Sequence, residues 1–188
     1  MVRPALRFAL IVLALLPGCD MFLTREPDPP TQSTSTFEPP VTPEAVLHNL
    51  HSAIRENNLD NYLRCFVDTT FRPYAYVPSQ DVQPNFGIWT LEDERRYFRT
   101  MGAMIDGTPL LTSSIQNATF FSDSTYNVNY TLFFPHKEPN APRLVRGNMQ
   151  LHLAIDPQGR WGIDQWRDNR IPSLPDSTWS YLKFWFNK

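Results

Sequence analysis

The spacing of apolar residues changes once along the chain, at Leu110, and this change limits the fold more than any other feature. Before it, apolar residues recur at helical intervals, as in residues 46–54, which is typical of a helix with one buried face. After it, apolar and polar residues alternate, as in residues 126–134 and 145–155, which is typical of strands. Helices followed by strands with one apolar face predict an α+β fold built on an antiparallel sheet.

Capping residues mark two helix starts. Thr42 precedes Pro43 and Glu44, so an N-cap, a proline and an acid stand in the order that begins a helix. Thr90 stands three residues before Asp93, which is the spacing of a capping box. The folded domain is therefore predicted to span residues 42–188, with a short helix at its C-terminal end.

The order of these elements resembles the nuclear transport factor 2-like, or cystatin-like, fold. The residues that carry the resemblance are 42–47, 58–63, 160–163 and Trp166. The resemblance implies N-terminal helices packed on a curved antiparallel sheet of about four to six strands, which forms a cone, and a short C-terminal helix. This fold hosts enzymes, binding modules and scaffolds, so it does not decide the function.

Residues 1–18 have the pattern of an export signal. Arg3 and Arg7 precede an apolar run at residues 8–16 that is too short to span a bilayer, and Gly18 precedes Cys19. A small residue followed by Cys resembles the lipobox of bacterial lipoproteins. The resemblance implies cleavage before Cys19, acylation of Cys19 with palmitate among the acyl groups, and anchoring on the exported side of the bacterial cell membrane or outer membrane.

Residues 19–41 are rich in proline, threonine and serine, and we expect them to form a disordered tether. The chain carries 17 basic and 19 acidic residues, and loss of Arg3 and Arg7 with the signal makes it more acidic. A mildly acidic chain of this kind is not expected to bind nucleic acid. Cys65 is the one cysteine besides Cys19, so no intrachain disulfide is predicted and an inert thiol is expected.

Glu94 is the main candidate site residue, because it lies near the centre of the apolar stripe of the predicted helix that begins at Thr90. One interpretation is a general base or ligand contact whose pKa is raised by apolar walls. The other is a first-turn acid that the helix dipole favours and water still reaches. Tyr74, Tyr76 and Trp89 flank the expected mouth of the cone and complete the candidate pocket, either as ligand contacts or as core aromatics.

Other chemical patterns are weak. His48 and His51 are three residues apart but lack a third ligand, so no metal site is predicted, and no cofactor motif is present. The ketosteroid isomerase branch of the resembled family carries a catalytic Asp a few residues beyond the end of its second helix. Asp68 matches that helix end here, but the position five residues on is Pro73, so isomerase chemistry by this route is not expected.

These observations favour a lipid-anchored cell-envelope protein whose domain binds a ligand or partner without catalysis. The partner is a small apolar ligand, an envelope protein, or a second copy bound through the outer sheet face. The alternative is an isomerase- or cyclase-like enzyme that uses the cone, with Glu94 as general base and Tyr74 or Tyr76 as hydrogen-bond donor. The aromatic residues of 179–186 either dock on the domain or offer a patch to a partner or the lipid interface.

Overall fold

The structure, a computed structural model, describes residues 36–82, 86–121 and 123–187, without the side chains of residues 115–124. The export signal 1–18, Cys19 and residues 20–35 of the tether lie outside the described residues. The described residues belong to one compact unit. Within them, no helix has both the length and the apolar character that a membrane crossing requires.

The described ranges contain the helices α1 (Pro43–Arg55), α2 (Leu59–Leu63), α3 (Leu91–Ala103) and α4 (Trp179–Phe186). The side chain of Thr42 accepts a hydrogen bond from the Ala45 amide. Thr90 and Asp93 form both bonds of a capping box. α1 and α3 therefore begin at the predicted residues, because these bonds satisfy amides that a first helical turn leaves free.

The described strands are β1 (Ala75–Val77), β2 (Leu110–Phe121), β3 (Asp123–Phe133), β4 (Leu144–Ile155) and β5 (Trp161–Asn169). They form one sheet in the order β1-β5-β4-β3-β2, and β2 to β5 are an antiparallel meander. The predicted α+β class is confirmed, with a sheet that is mixed rather than purely antiparallel. β1 pairs in parallel with β5, because the long connection through α3 and three strands brings β5 back in the same direction.

The concave face of the sheet forms the core. Inward positions on β3 and β4 are apolar and buried, among them Tyr126, Val128, Tyr130, Leu132, Val145, Met149 and Leu151. The pairing of β4 with β5 shifts after His152, where β5 holds Asp164 as an extra residue. After this bulge, Trp166 and Asp168 both face the core and are buried.

Residues 36–41 are attached to the domain, although they were predicted to belong to the tether. The Glu38 amide donates to Asn49 Oδ1, and Asn49 Nδ2 donates to the Glu38 carbonyl, both at 2.8 Å. The Trp161 amide donates to the Pro40 carbonyl at 2.7 Å, and the ring of Phe37 lies 3.7 Å from the Arg64 guanidinium. These contacts add residues 36–41 to the predicted domain 42–188 and shorten the proposed tether to residues 19–35.

Gly162 brings β5 close to the chain that follows α2. A Cβ atom at this position would lie 2.9 Å from the Val67 amide nitrogen and 3.0 Å from the Phe66 carbonyl carbon. We expect Gly162→Ala to lower the free energy of unfolding by about 1–3 kcal/mol in urea denaturation, because backbone atoms cannot move aside. Gly87→Ala is the matched control, since a Cβ there meets no atom within 4 Å. Equal stability of the two variants would contradict the close approach.

Candidate functional site

α3 directs a carboxylate into the core of the cone. Glu94 begins a stripe with Tyr97, Phe98 and Met101, which lie on one face of the helix and are all buried. The exposed fraction of Glu94 is 0%, so its position in the first turn does not bring it to solvent.

Three neutral groups donate hydrogen bonds to the Glu94 carboxylate. Tyr62 donates to Oε2 at 2.8 Å, and Tyr74 and Trp89 Nε1 donate to Oε1 at 2.7 and 2.9 Å. Burial, reinforced by the charge of Glu94, raises the pKa of Tyr62 and of Tyr74 well above the ordinary value. Both phenols therefore keep their protons near neutral pH and act as donors.

Lys183, in the last turn of α4, is the fourth donor to Glu94. Its ammonium group forms an ion pair with Glu94 Oε1, and both side chains are fully buried. The ammonium also lies 3.8 Å from the ring centroid of Tyr76 and 4.0 Å from that of Trp166. Aromatic faces attract a cation, most strongly where water is excluded. Burial lowers the pKa of Lys183, and the Glu94 carboxylate opposes that shift.

Asp168 on β5 is a second buried carboxylate, and it binds the first turn of α4. Its Oδ2 accepts from the amide and the hydroxyl of Ser180 at 2.7 and 2.5 Å, and its Oδ1 accepts from Tyr130 at 2.8 Å. Burial raises the pKa of Asp168, although these donors and Lys183 oppose the shift. The acid also stands at the positive end of the helix dipole, which favours a negative charge there.

Further bonds fasten α4 inside the cone. Trp179 donates from Nε1 to Tyr97 Oη and from its amide to Tyr130 Oη, each at 2.7 Å. Leu182 and Phe186 are buried in the same core as the sheet residues. The aromatic C-terminal helix therefore docks on the domain through one face, and its side chains occupy the centre of the cone.

The structure gathers the four candidate pocket residues around Lys183. Tyr74 and Trp89 are bonded to Glu94, while Tyr76 offers its ring to the ammonium group and its hydroxyl to Ser180 at 2.7 Å. All four are buried. A ligand in contact with these four residues would have to occupy the position of the Lys183 side chain.

Two important residues of this site are missing from the sequence predictions. Lys183 does carry a signal, because it shares a helix face with three buried residues of α4, as Glu94 does on α3. Asp168 carries no such signal in the sequence. Its side chain points inward because of the bulge at Asp164, and no turn residue marks the position of that bulge.

Four surface clefts of the described residues are not lined by Glu94 itself, nor by Tyr74 or Tyr76. The largest of the four has a volume of about 460 Å³ and lies between residues 36–41, α2 and the start of α3. A second, of about 290 Å³, is lined by Trp89 and by the exposed side of α4.

The other residues considered from the sequence do not join the cone site. Asp68 accepts bonds from the amide and hydroxyl of Thr70, as a turn-capping residue does. Cys65 is buried, and burial raises the pKa of its thiol, which makes it unreactive. His48 and His51 belong to no cluster of three His, Cys, Asp or Glu side chains fit for a metal ion, and the described part of the chain contains none.

Solved structures share this fold at low sequence identity. A conserved protein from Planctomyces limnophilus matches with a TM-score of 0.56 and 9% identity, over 69% of this chain and 93% of its own. A candidate scytalone dehydratase from Novosphingobium aromaticivorans matches with 0.56 and 11%, over 72% and 88%. A nuclear transport factor 2-like protein from Cytophaga hutchinsonii matches with 0.50 and 12%, over 67% and 93%. No protein-family model and no curated protein matches the chain in sequence. At these identities the similarity shows the nuclear transport factor 2-like fold alone.

Loss of the Lys183 ammonium leaves Glu94 buried without its charged partner. Breaking one side of a buried ion pair costs about 3–5 kcal/mol, and we expect Lys183→Met to lower the free energy of unfolding by this amount in urea denaturation. The double variant Lys183→Met/Glu94→Gln removes both charges and should recover at least half of the loss. A Lys183→Met protein as stable as the wild type would contradict the buried pair.

Asp168 makes the free energy of unfolding depend on pH, and the direction of its pKa shift fixes the sign of that dependence. Because its pKa is raised on folding, the folded state binds more protons than the unfolded state from about pH 4 upward, so this group lowers stability as the pH rises through that window. Asp168→Asn removes the titration, and we expect its stability relative to wild type to improve between about pH 4 and pH 7 in denaturation series. Asp68→Asn is the control of opposite sign, and its window lies below about pH 4, because hydrogen bonds from Thr70 lower the pKa of Asp68 and the wild type loses this contribution as the pH falls. The same trend in both variants would contradict this account.

Proposed function

We propose that the chain is a lipid-anchored protein of the bacterial cell envelope whose domain binds a ligand or partner on its surface and catalyses no reaction. Cys19 carries the lipid, residues 19–35 form the tether, and the compact unit lies on the exported side. The lipobox pattern supports the anchoring, and the filled cone supports the absence of catalysis.

The occupied surroundings of Glu94 are the observation on which the non-catalytic part depends. A general base must lie within hydrogen-bond reach of the proton that it removes. Here Tyr74, Trp89 and Lys183 are bonded to Oε1, and Tyr62 is bonded to Oε2. A substrate could reach the carboxylate only by displacing one of these donors.

The isomerase- or cyclase-like alternative has less support. It requires space beside Glu94, which is the space that Lys183 fills. The name of the candidate scytalone dehydratase describes that protein, and its 11% identity to this chain carries the fold alone. A small apolar ligand inside the cone is disfavoured for the same reason as a substrate.

The cleft of about 460 Å³ is the surface that best suits a ligand or partner protein. Its walls combine aromatic, basic and acidic side chains: Phe37, Phe66, Trp161, Arg64, Arg95, Arg160, Asp60, Asp68 and Asp156. Aromatic residues and arginine are the side chains most often enriched at protein interfaces.

The outer face of the sheet is the surface that suits a second copy of the chain. Asn148 Nδ2 donates to Asn129 Oδ1 across β3 and β4 at 2.9 Å, and these side chains are half-buried. Rows of amides of this kind fit a wet interface between two polar faces.

The proposed anchoring can be tested through the acylation of Cys19. We expect cells fed radioactive palmitate to label the wild-type protein and not Cys19→Ala, because no other position carries the lipobox pattern. Globomycin, which inhibits the lipoprotein signal peptidase, should make the wild-type precursor accumulate with residues 1–18 attached. Cys65→Ala is the matched control and should be labelled like wild type. Labelling of Cys19→Ala, or processing that globomycin leaves unchanged, would contradict the proposal.

A further inference from the structure

The outward side of α4 belongs to an aromatic patch, defined here as Phe86, Ile88, Tyr181, Phe184 and Trp185. The three aromatic residues of α4 follow the spacing i, i+3, i+4 on the side opposite the buried face, and they are half-exposed. The rings of Tyr181 and Trp185 are stacked, with centroids 6.3 Å apart. Ile88 is 95% exposed, which is unusual for a large aliphatic side chain.

Ring contacts hold Phe86 against α4. The centroid of the Phe86 ring lies 5.1 Å from that of Trp89 and 6.2 Å from that of Phe184, so Phe86 contacts α4 and Ile88 lies in the segment between Phe86 and Trp89. Gly87, Ile88 and Phe184 line the adjacent cleft of about 290 Å³. Contiguous apolar surface of this kind, next to a cleft, marks an interaction site more often than scattered single residues do.

Among the described residues, one charge pair lies at the border of the aromatic patch. Arg96 Nη1 lies 3.3 Å from Asp93 Oδ1, and Asn187 Nδ2 donates to the same oxygen at 3.4 Å. The cation of α4 itself, Lys183, is buried on the opposite side. A surface of Trp, Tyr, Phe and Ile bordered by a charge pair suits the uncharged boundary between lipid headgroups and acyl chains, where aromatic rings concentrate.

The first described residue, Thr36, donates its hydroxyl to Glu56 Oε1, and the adjacent Asn57 donates to the Gly102 carbonyl in the last turn of α3. Phe37 lines the large cleft together with Leu91 and Arg95 of α3, while Trp89 and Asp93 line the cleft beside the patch. The tether therefore joins the domain near the last turn of α3, about 20 Å along that helix from the end that carries the patch. A tether of residues 19–35 spans about 23 Å as a coil and at most about 50 Å when extended. A domain held so close meets the bilayer at high effective concentration.

We infer that the aromatic patch docks on the surface of the lipid bilayer to which the chain is anchored, with Ile88 inserted between headgroups. This inference rests on the proposed anchoring and adds the orientation of the domain: the start of α3 and the outer side of α4 face the membrane. The outer sheet face then stays accessible to a partner.

The test uses the chain from Cys19 to Lys188, coupled through Cys19 to a maleimide lipid in phosphatidylcholine vesicles. Cys65 is 1% exposed and does not compete for the coupling. We expect brominated phosphatidylcholine to quench tryptophan fluorescence, mainly that of Trp185, and Trp185→Phe to remove most of the quenching. Ile88→Glu should reduce the ratio of docked to undocked protein about tenfold, because an apolar contact is replaced by a charge. Added phosphatidylglycerol should change the quenching little.

Leu110→Glu is the matched control, because Leu110 is 53% exposed and follows the other end of α3. Its quenching should equal that of wild type. Absence of quenching in the coupled wild type, or equal quenching by Ile88→Glu and wild type, would overturn the docking. Loss of quenching in Leu110→Glu would overturn it as well, because the effect would not be specific to the patch. Chemical coupling supplies the anchor here, so a failure of palmitate labelling in cells is a separate result.

Discussion

The buried ion pair between Lys183 and Glu94 is the contact on which the rest of the structure depends. Each charge loses its hydration inside the cone, and neither tolerates burial alone. The rings of Tyr76 and Trp166 cover the ammonium group, while Tyr62 and further donors give hydrogen bonds to the carboxylate. Because the two charges come from α3 and α4, the C-terminal helix must dock for the core of the cone to be satisfied. Asp168 repeats the arrangement at the other end of α4, where it binds an amide and a hydroxyl. The last helix is therefore part of the core and does not merely follow the sheet.

A filled cone changes what the fold can do. The curved sheet surrounds a space, and in this chain buried side chains of α4 fill it. Chemistry at Glu94 would first require one of its donors to be displaced. Binding at the surface requires no such displacement, and the cleft beside Phe37, the outer sheet face and the aromatic patch are all outside the cone. The proposed anchoring adds an orientation, because a short tether limits which of these surfaces meets the membrane.

The sequence predicted well what depends on neighbouring residues and poorly what depends on contacts between distant ones. The N-cap at Thr90 and the change of apolar spacing at Leu110 are local signals, and the helix and strands that they predict are present. Glu94 was found by projection onto a helix, which needs no tertiary information. Its partner in the ion pair is 89 positions away, so the pairing could not be derived from spacing. The parallel edge strand, the inward direction of Asp168 and the attachment of residues 36–41 likewise follow from the assembled sheet.

The most direct measurement of whether α4 belongs to the core is native-state hydrogen exchange of its backbone amides, followed by NMR in low urea concentrations. If Lys183 and Glu94 hold the helix in place, the amides of Ser180–Phe186 that lie in helical hydrogen bonds will exchange only through global unfolding, with the same free energy as the buried amides of β3 and β4. Exchange of the α4 amides at a clearly lower free energy, while the sheet amides stay protected, would contradict this account. It would mean that the helix leaves a cone that remains folded, and that Glu94 becomes accessible to a ligand.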